Sequence, residues 1–163
     1  MNTTIRVGYN FGNKLESLRL HAQTGNLDQA VSFVAQCAKA HGFSEDRTLS
    51  VELVVEEVFV NVCMYAYEND NGHIEITCKS ENTPGRLTIE ILDSGKPFNP
   101  LSSVPAHDQN VDIDKRRIGG LGILMIIQIT DEVSYERIGE SNRLTLKFDR
   151  SRQSGQQDLN ATR

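Results

Sequence analysis

Apolar side chains in this chain recur at two periods, and the switches between them outline the elements. The first dozen residues carry no decisive period. From Glu16 to Ala22, Leu18, Leu20 and Ala22 alternate with polar neighbours, which predicts a strand. Leu27, Val31, Val34 and Ala38 then fall at helical spacing, so a helix is predicted from Leu27 to His41, with Gly42 as its stop. Ser44 is a suitable N-cap, and Glu45 and Asp46 sit where acidic side chains complement a helix dipole. A long helix follows to about Tyr67. Residues 69–72, Asn-Asp-Asn-Gly, form a turn signal. His73 to Ser80 alternates through Ile74, Ile76 and Cys78, and Arg86 to Leu92 through Leu87, Ile89 and Ile91. With Asn82-Thr-Pro-Gly85 between them, these two runs predict a hairpin. Ser94 to Ile118 is polar, contains Pro97, Pro100 and Pro105, and has no clear period. Segments of that kind inside a compact domain are functional lids or disordered. Gly119 to Ile129 predicts a helix. Glu132 to Ile138 and Arg143 to Phe148 predict strands joined by a turn at Gly139-Glu-Ser-Asn142.

The order is strand, two helices, hairpin, lid-like loop, helix, hairpin. That order predicts an α+β fold, a two-layer α/β sandwich with helices on one face of a mostly antiparallel sheet. The 163 residues suffice for one domain with a sizeable core, expected over 1–149, and the Ser/Gln/Asn-rich stretch 150–163 is expected to be a disordered tail. A net charge of -5 argues against broad binding to nucleic acid or acidic membranes. No apolar run reaches membrane-spanning length, and the start of the chain lacks a signal-peptide layout. Cys37, Cys63 and Cys78 have no C-x-x-C spacing and are expected to be reduced core residues of a cytoplasmic protein. The four histidines are scattered singly, so a histidine metal site is not expected.

Three short segments could carry chemistry. On the long helix, at about 100° per residue, Glu45, Glu52 and Glu56 share a solvent sector. Glu57 and Asn61 lie roughly 100–140° from it by the same rule, one turn apart, near Leu53, Val54, Val58 and Met64. A carboxylate on an apolar side is costly unless a partner or a task compensates. One account is a buried Glu57 paired with a lysine or arginine, with Asn61 bonding a loop. The other is a general base, its pKa raised by burial, beside an oxygen ligand for Mg²⁺. Asp93-Ser-Gly95 ends a strand. It is either a plain turn or a carboxylate that accepts from an exocyclic amine such as adenine's, with Gly95 admitting close approach of the backbone to the ring. Gly119-Gly-Leu-Gly122 opens an apolar helix. It either permits tight helix packing or offers N–H groups to phosphate, with Arg116 and Arg117 adding charge. No G-x-x-x-x-G-K-[ST] loop is present, since Pro97 follows Gly95-Lys96.

In this order, the segments resemble the N, G1 and G2 boxes of the GHKL ATPase/kinase superfamily. Glu52 to Asn61, Ala66-Tyr67, Gly119 to Met125 and Asp131-Glu-Val133 resemble the bacterial anti-sigma factor serine kinases, over roughly Leu15 to Phe148. The resemblance implies a Bergerat-type sandwich that binds Mg-ATP. Glu57 would be the general base and Asn61 the Mg²⁺ ligand. Asp93, with Gly95, would recognise adenine. Arg117, Gly119, Gly120, Leu121 and Gly122 would line the phosphates, and Thr145 would help hold the base. It further implies a kinase that phosphorylates a serine on a small antagonist protein, sequesters a sigma factor and forms a homodimer. Two positions depart from the pattern. Pro97 stands where a second glycine is usual, and Tyr65 where histidine often precedes Ala-Tyr. Proline lacks an N–H and fixes φ. The same fold could therefore serve instead as a non-catalytic partner-binding module, with nucleotide at most a structural ligand. Coincidental glycines on an unrelated α+β protein are the remaining alternative.

Overall fold

A computed structural model describes residues 4–10, 13–67, 72–80, 85–103 and 120–152. Six antiparallel strands form one sheet: β1 (Thr4–Asn10), β2 (Asn13–His21), β3 (His73–Ser80), β4 (Arg86–Asp93), β5 (Glu132–Ile138) and β6 (Ser141–Asp149), in the order β1-β2-β3-β4-β6-β5. Helices α1 (Leu27–Ala40), α2 (Glu45–Tyr65) and α3 (Gly120–Ile129) supply the second layer. The α+β sandwich expected from the element order is the fold observed.

Strand β1 is the element that periodicity left undecided. It pairs along its whole length with β2, yet Ile5 and Val7 remain 64% and 59% exposed. An edge strand beyond the helices has alternation without burial, so its apolar pattern is short and weak. Ser44 caps α2 as expected, its hydroxyl accepting from the Arg47 N–H at 3.2 Å. Gly42, after α1, has φ +76°, the left-handed conformation that favours glycine at a helix end. The segment expected to be a lid contains a short 3-10 turn at Pro100–Ser103, and 104–119 lie outside the described residues.

Even-numbered side chains of β6 and their partners face the helices. Leu18, Leu20, Ile74, Ile76, Leu87, Ile89, Ile91, Leu144, Leu146 and Phe148 pack there against Val34, Val51, Val54, Val55, Val58 and Phe59. On the other face, Lys79 pairs with Glu90 at 2.5 Å, Arg143 with Glu136 at 3.0 Å and Lys147 with Glu132 at 2.8 Å. Cys37, Cys63 and Cys78 are free thiols, and burial pushes the Cys63 thiol up to about 11.

Arg47, only 3% exposed, joins the first turn of α2 to the far end of the fold. Its guanidinium donates to the Ile129 carbonyl at 3.0 Å, to the Asp149 carbonyl at 3.1 Å and to the Asp131 carboxylate, and it lies 5.4 Å from the centre of the Phe148 ring. Asp131 also accepts from the Asp149 N–H at 2.7 Å and from Arg152 at 3.1 Å. Arg152 donates further to the Thr130 carbonyl, and the Arg150 N–H to the Gly85 carbonyl at 2.7 Å. Residues 150–152, assigned on composition to a loose tail, are thus tied to the body; composition cannot register backbone acceptors supplied by distant turns.

Removing Arg47 takes the buried guanidinium from Asp131, which keeps only the half-exposed Arg152 and the Asp149 N–H, and leaves the Ile129 and Asp149 carbonyls without their donor. Arg47→Met is expected to lower unfolding free energy by about 3 kcal/mol, whereas Glu56→Ala, on the exposed side of α2, stays within about 0.5 kcal/mol. Urea denaturation of both variants checks this; equal midpoints would show that the clip does not hold the helix to the hairpin.

Candidate functional site

Glu57 and Asn61 project from the same side of α2, both half-buried, and Asn61 Nδ2 donates to Glu57 Oε1 at 2.9 Å. Glu57 has no ion-pair partner among the described residues. Its carboxylate lies against α3. A Cβ added to Gly122 would fall 1.8 Å from Glu57 Oε1, a distance no side chain tolerates. A side chain at position 122 would push the Glu57 carboxyl group out of its present place, and the first turn of α3 meets the Glu57–Asn61 pair. A carboxylate beside a helix N-terminus is favourably placed.

Asn61 also lines an open hollow of about 500 Å³, counted out to its mouth. Val58, Val62 and Ala66 from α2 and Ile126 from α3 form one side; Ile91 and Leu144 from the sheet form the floor. Asp93 and Asn142 lie at the deep end, and Phe98, Pro100 and Tyr135 border it. The hollow is thus largely apolar with a few convergent polar groups, the composition of a small-molecule site.

Asp93, 7% exposed, is held at the end of β4. Its Oδ1 accepts from the Gly95 N–H and from Asn142 Nδ2, both at 2.9 Å. Both bonds fall on Oδ1, which leaves Oδ2 as the acceptor for a ligand. Gly95 contributes its N–H, but its missing side chain faces protein rather than the hollow: a Cβ there would lie 2.4 Å from the Ala66 carbonyl oxygen. The glycine is needed for close approach of the loop to the end of α2, not to a ring. Ala66 O in turn accepts from the Lys96 N–H at 2.9 Å. Tyr67 adds a second tie, donating to the His73 carbonyl and accepting from the Ser94 N–H.

Of the expected site residues, Asn61 and Asp93 line the hollow; Glu57 adjoins it through its bond from Asn61, Gly122 through its contact with Glu57, and Gly95 through the N–H it donates to Asp93. Gly120 is the first residue of α3, and Leu121 is 70% exposed. Arg117 and Gly119 lie outside the described residues. Thr145 does not join the site. It alternates with Leu144 and Leu146 and pairs with Glu90 and Ser134, so it belongs to the opposite face of the sheet.

A polar residue that does line the hollow was hidden in a supposed turn. Strand β6 begins at Ser141, so Asn142 is a strand residue directly opposite Asp93. It is 5% exposed and shares the helix-facing side with Leu144, Leu146 and Phe148. Tyr135 and Arg137 reach it from β5. Extending the even-numbered alternation of β6 back by one step would have found Asn142. Nothing local distinguishes Tyr135 or Arg137 from ordinary strand residues.

The donor and acceptor set fits a purine nucleotide: apolar walls, an anionic acceptor at the deep end, and an amide oxygen and helix start at the other. Among the described residues, no group of three or more histidine, cysteine, aspartate or glutamate side chains is placed to hold a metal ion. A cation here would share its ligands with a bound phosphate. No helix among them is long and apolar enough to cross a membrane.

The sequence profile of the histidine kinase-like ATPase domain matches residues 20–148. Two forms of the serine-protein kinase RsbW of Staphylococcus aureus are similar: that of strain MSSA476 is 29% identical over 121 residues, which are 71% of this chain and 76% of the relative, and that of strain JH9 is 28% identical over the same span. Among solved structures, the histidine kinase domain of the Erythrobacter litoralis EL346 blue-light activated histidine kinase is 13% identical, with a TM-score of 0.48 over 81% of this chain and 62% of that one. With the profile covering most of its length, this chain belongs to the histidine kinase-like ATPase domain family.

Proposed function

We propose that this protein is a Mg-ATP-dependent protein serine kinase of the anti-sigma factor type, which phosphorylates a small antagonist protein and sequesters a sigma factor. The observation that carries the reading is one hollow lined by both Asn61 and Asp93, with Glu57 bonded to Asn61 and the first turn of α3 against Glu57 at Gly122. The similarity to serine-protein kinases supports the choice of acceptor. Adenine would enter the deep end with its amine on Asp93 Oδ2, and the phosphates would run towards α3 and Asn61. Asn61 Oδ1, whose amide nitrogen is committed to Glu57, would hold Mg²⁺ together with phosphate oxygens. The cation would neutralise charge on the transferring phosphoryl group. Glu57 would accept the proton of the serine hydroxyl as its oxygen bonds the γ-phosphorus and the β–γ bridging bond breaks, releasing ADP. A homodimer in the cytoplasm is the assembly proposed by the same resemblance.

Pro97 favours a second reading, a non-catalytic module that binds its partners without transferring phosphate. The base end of the hollow argues against loss of nucleotide binding: Pro97 is exposed, and the N–H groups the loop uses belong to Ser94, Gly95 and Lys96.

Glu57→Gln keeps a hydrogen-bonding group but no base. It is expected to bind Mg-ATP with affinity near that of the parent while phosphoryl transfer to an antagonist protein falls about 10²–10⁴-fold; transfer at the parental rate, read with labelled ATP, would refute the assignment. Asp93→Asn removes the anionic acceptor and is expected to weaken ATP about 10- to 100-fold in calorimetric titration. No heat with the parent protein would instead support the binding module.

A further inference from the structure

Asn142 spends its whole hydrogen-bonding capacity on the protein. Nδ2 donates to Asp93 Oδ1 at 2.9 Å and to the Lys96 carbonyl at 3.0 Å. Oδ1 accepts from the Tyr135 hydroxyl and from Arg137 Nη1, each at 2.8 Å. The amide orientation is fixed by chemistry, since arginine can only donate and a main-chain carbonyl can only accept. Arg137 Nη1 donates as well to the Gly95 carbonyl at 2.9 Å. Two residues of the second hairpin thus grip three groups at the end of β4 and in the loop after it: the Asp93 carboxylate, the Gly95 carbonyl and the Lys96 carbonyl. The Lys96 N–H, bonded to Ala66, fastens the same loop from the α2 side.

We propose that Asn142 and Arg137 are the positioning residues that set base selectivity in this hollow, by locking the Asp93 carboxylate with Oδ2 towards the ligand. The inference rests on the purine-nucleotide reading of the site and adds to it a cause of discrimination. A carboxylate free to turn can satisfy a ligand amine, but can also swing away from a ligand carbonyl and solvate itself. One whose Oδ1 is held by two N–H donors has no such freedom. It accepts from an exocyclic amine at the purine 6-position and opposes a carbonyl there, because two acceptors then face each other across a buried contact. Loop ordering acts in the same direction. Residues 93–96 are fastened to α2, β5 and β6 before any ligand arrives, so the base end needs no glycine-given flexibility, and proline at 97 is compatible with it.

The test compares ATP with inosine triphosphate, which carries a carbonyl in place of the 6-amine, on the full-length protein by calorimetry. The parent is expected to favour ATP by about 100-fold. In Asn142→Ala the preference is expected to shrink about tenfold, with ATP weakened and inosine triphosphate strengthened. Strengthening of the wrong nucleotide is the signature, because mere loss of structure weakens both. Arg137→Met, at a half-buried position on an edge strand, is expected to shrink the preference in the same sense if Asn142→Ala does not fold. Asn142→Thr, which keeps one donor and one acceptor, is expected to restore most of it. Thr145→Ala, on the opposite face, leaves it unchanged. Folded Asn142→Ala and Arg137→Met variants that keep the parental ratio would overturn the inference while leaving the nucleotide reading intact. A parent that binds neither nucleotide would overturn both.

Discussion

The contact between the Glu57 carboxylate and Gly122 is the constraint on which the site depends. A side chain at position 122 would collide with Glu57 Oε1 and displace that carboxyl group, so the carboxylate keeps its present place against the first turn of α3 because residue 122 has no side chain. That approach puts Ile126 in the wall of the hollow and sets a helix start beside the Glu57–Asn61 pair.

Sheet geometry does for the Asp93 end of the hollow what that contact does beside Asn61. Asp93 and Asn142 are register partners on neighbouring antiparallel strands, so their side chains leave the same face close together. The parity of the pleat that selects Asn142 excludes Thr145, three residues on. The short bonds from Asn142 and Arg137 then convert a strand end and its following loop into a fixed wall. Polar networks of this kind are worth having only when every member is satisfied, and Asn142 is, at both ends of its amide.

The Arg47 clip ties together the elements that carry the two ends. The guanidinium joins the start of α2 to the end of α3 and to the close of β6, spanning up to 102 positions of sequence. Burial draws the Arg47 pKa down, and Asp131 opposes the shift by favouring the charged form. Through this pair, the hairpin that carries Tyr135, Arg137 and Asn142 is anchored to the helix that carries Glu57 and Asn61. The segment Asp131-Glu-Val133, which drew notice only as part of a resemblance, has its physical role here.

Local sequence determined the element types, the cap at Ser44, the position of Glu57 and Asn61 on one helix side and the strand-end setting of Asp93, because each is a matter of period or of neighbours a few residues away. It pointed to a nucleotide-binding family through three segments in order. Only the folded chain decided that Gly95 serves the end of α2, that Gly122 serves Glu57, that Thr145 lies on the wrong face and that Asn142 lies on the right one. These outcomes turn on strand register and on close approach between elements tens of residues apart, and pairwise distances of that kind leave no period in the sequence to be read.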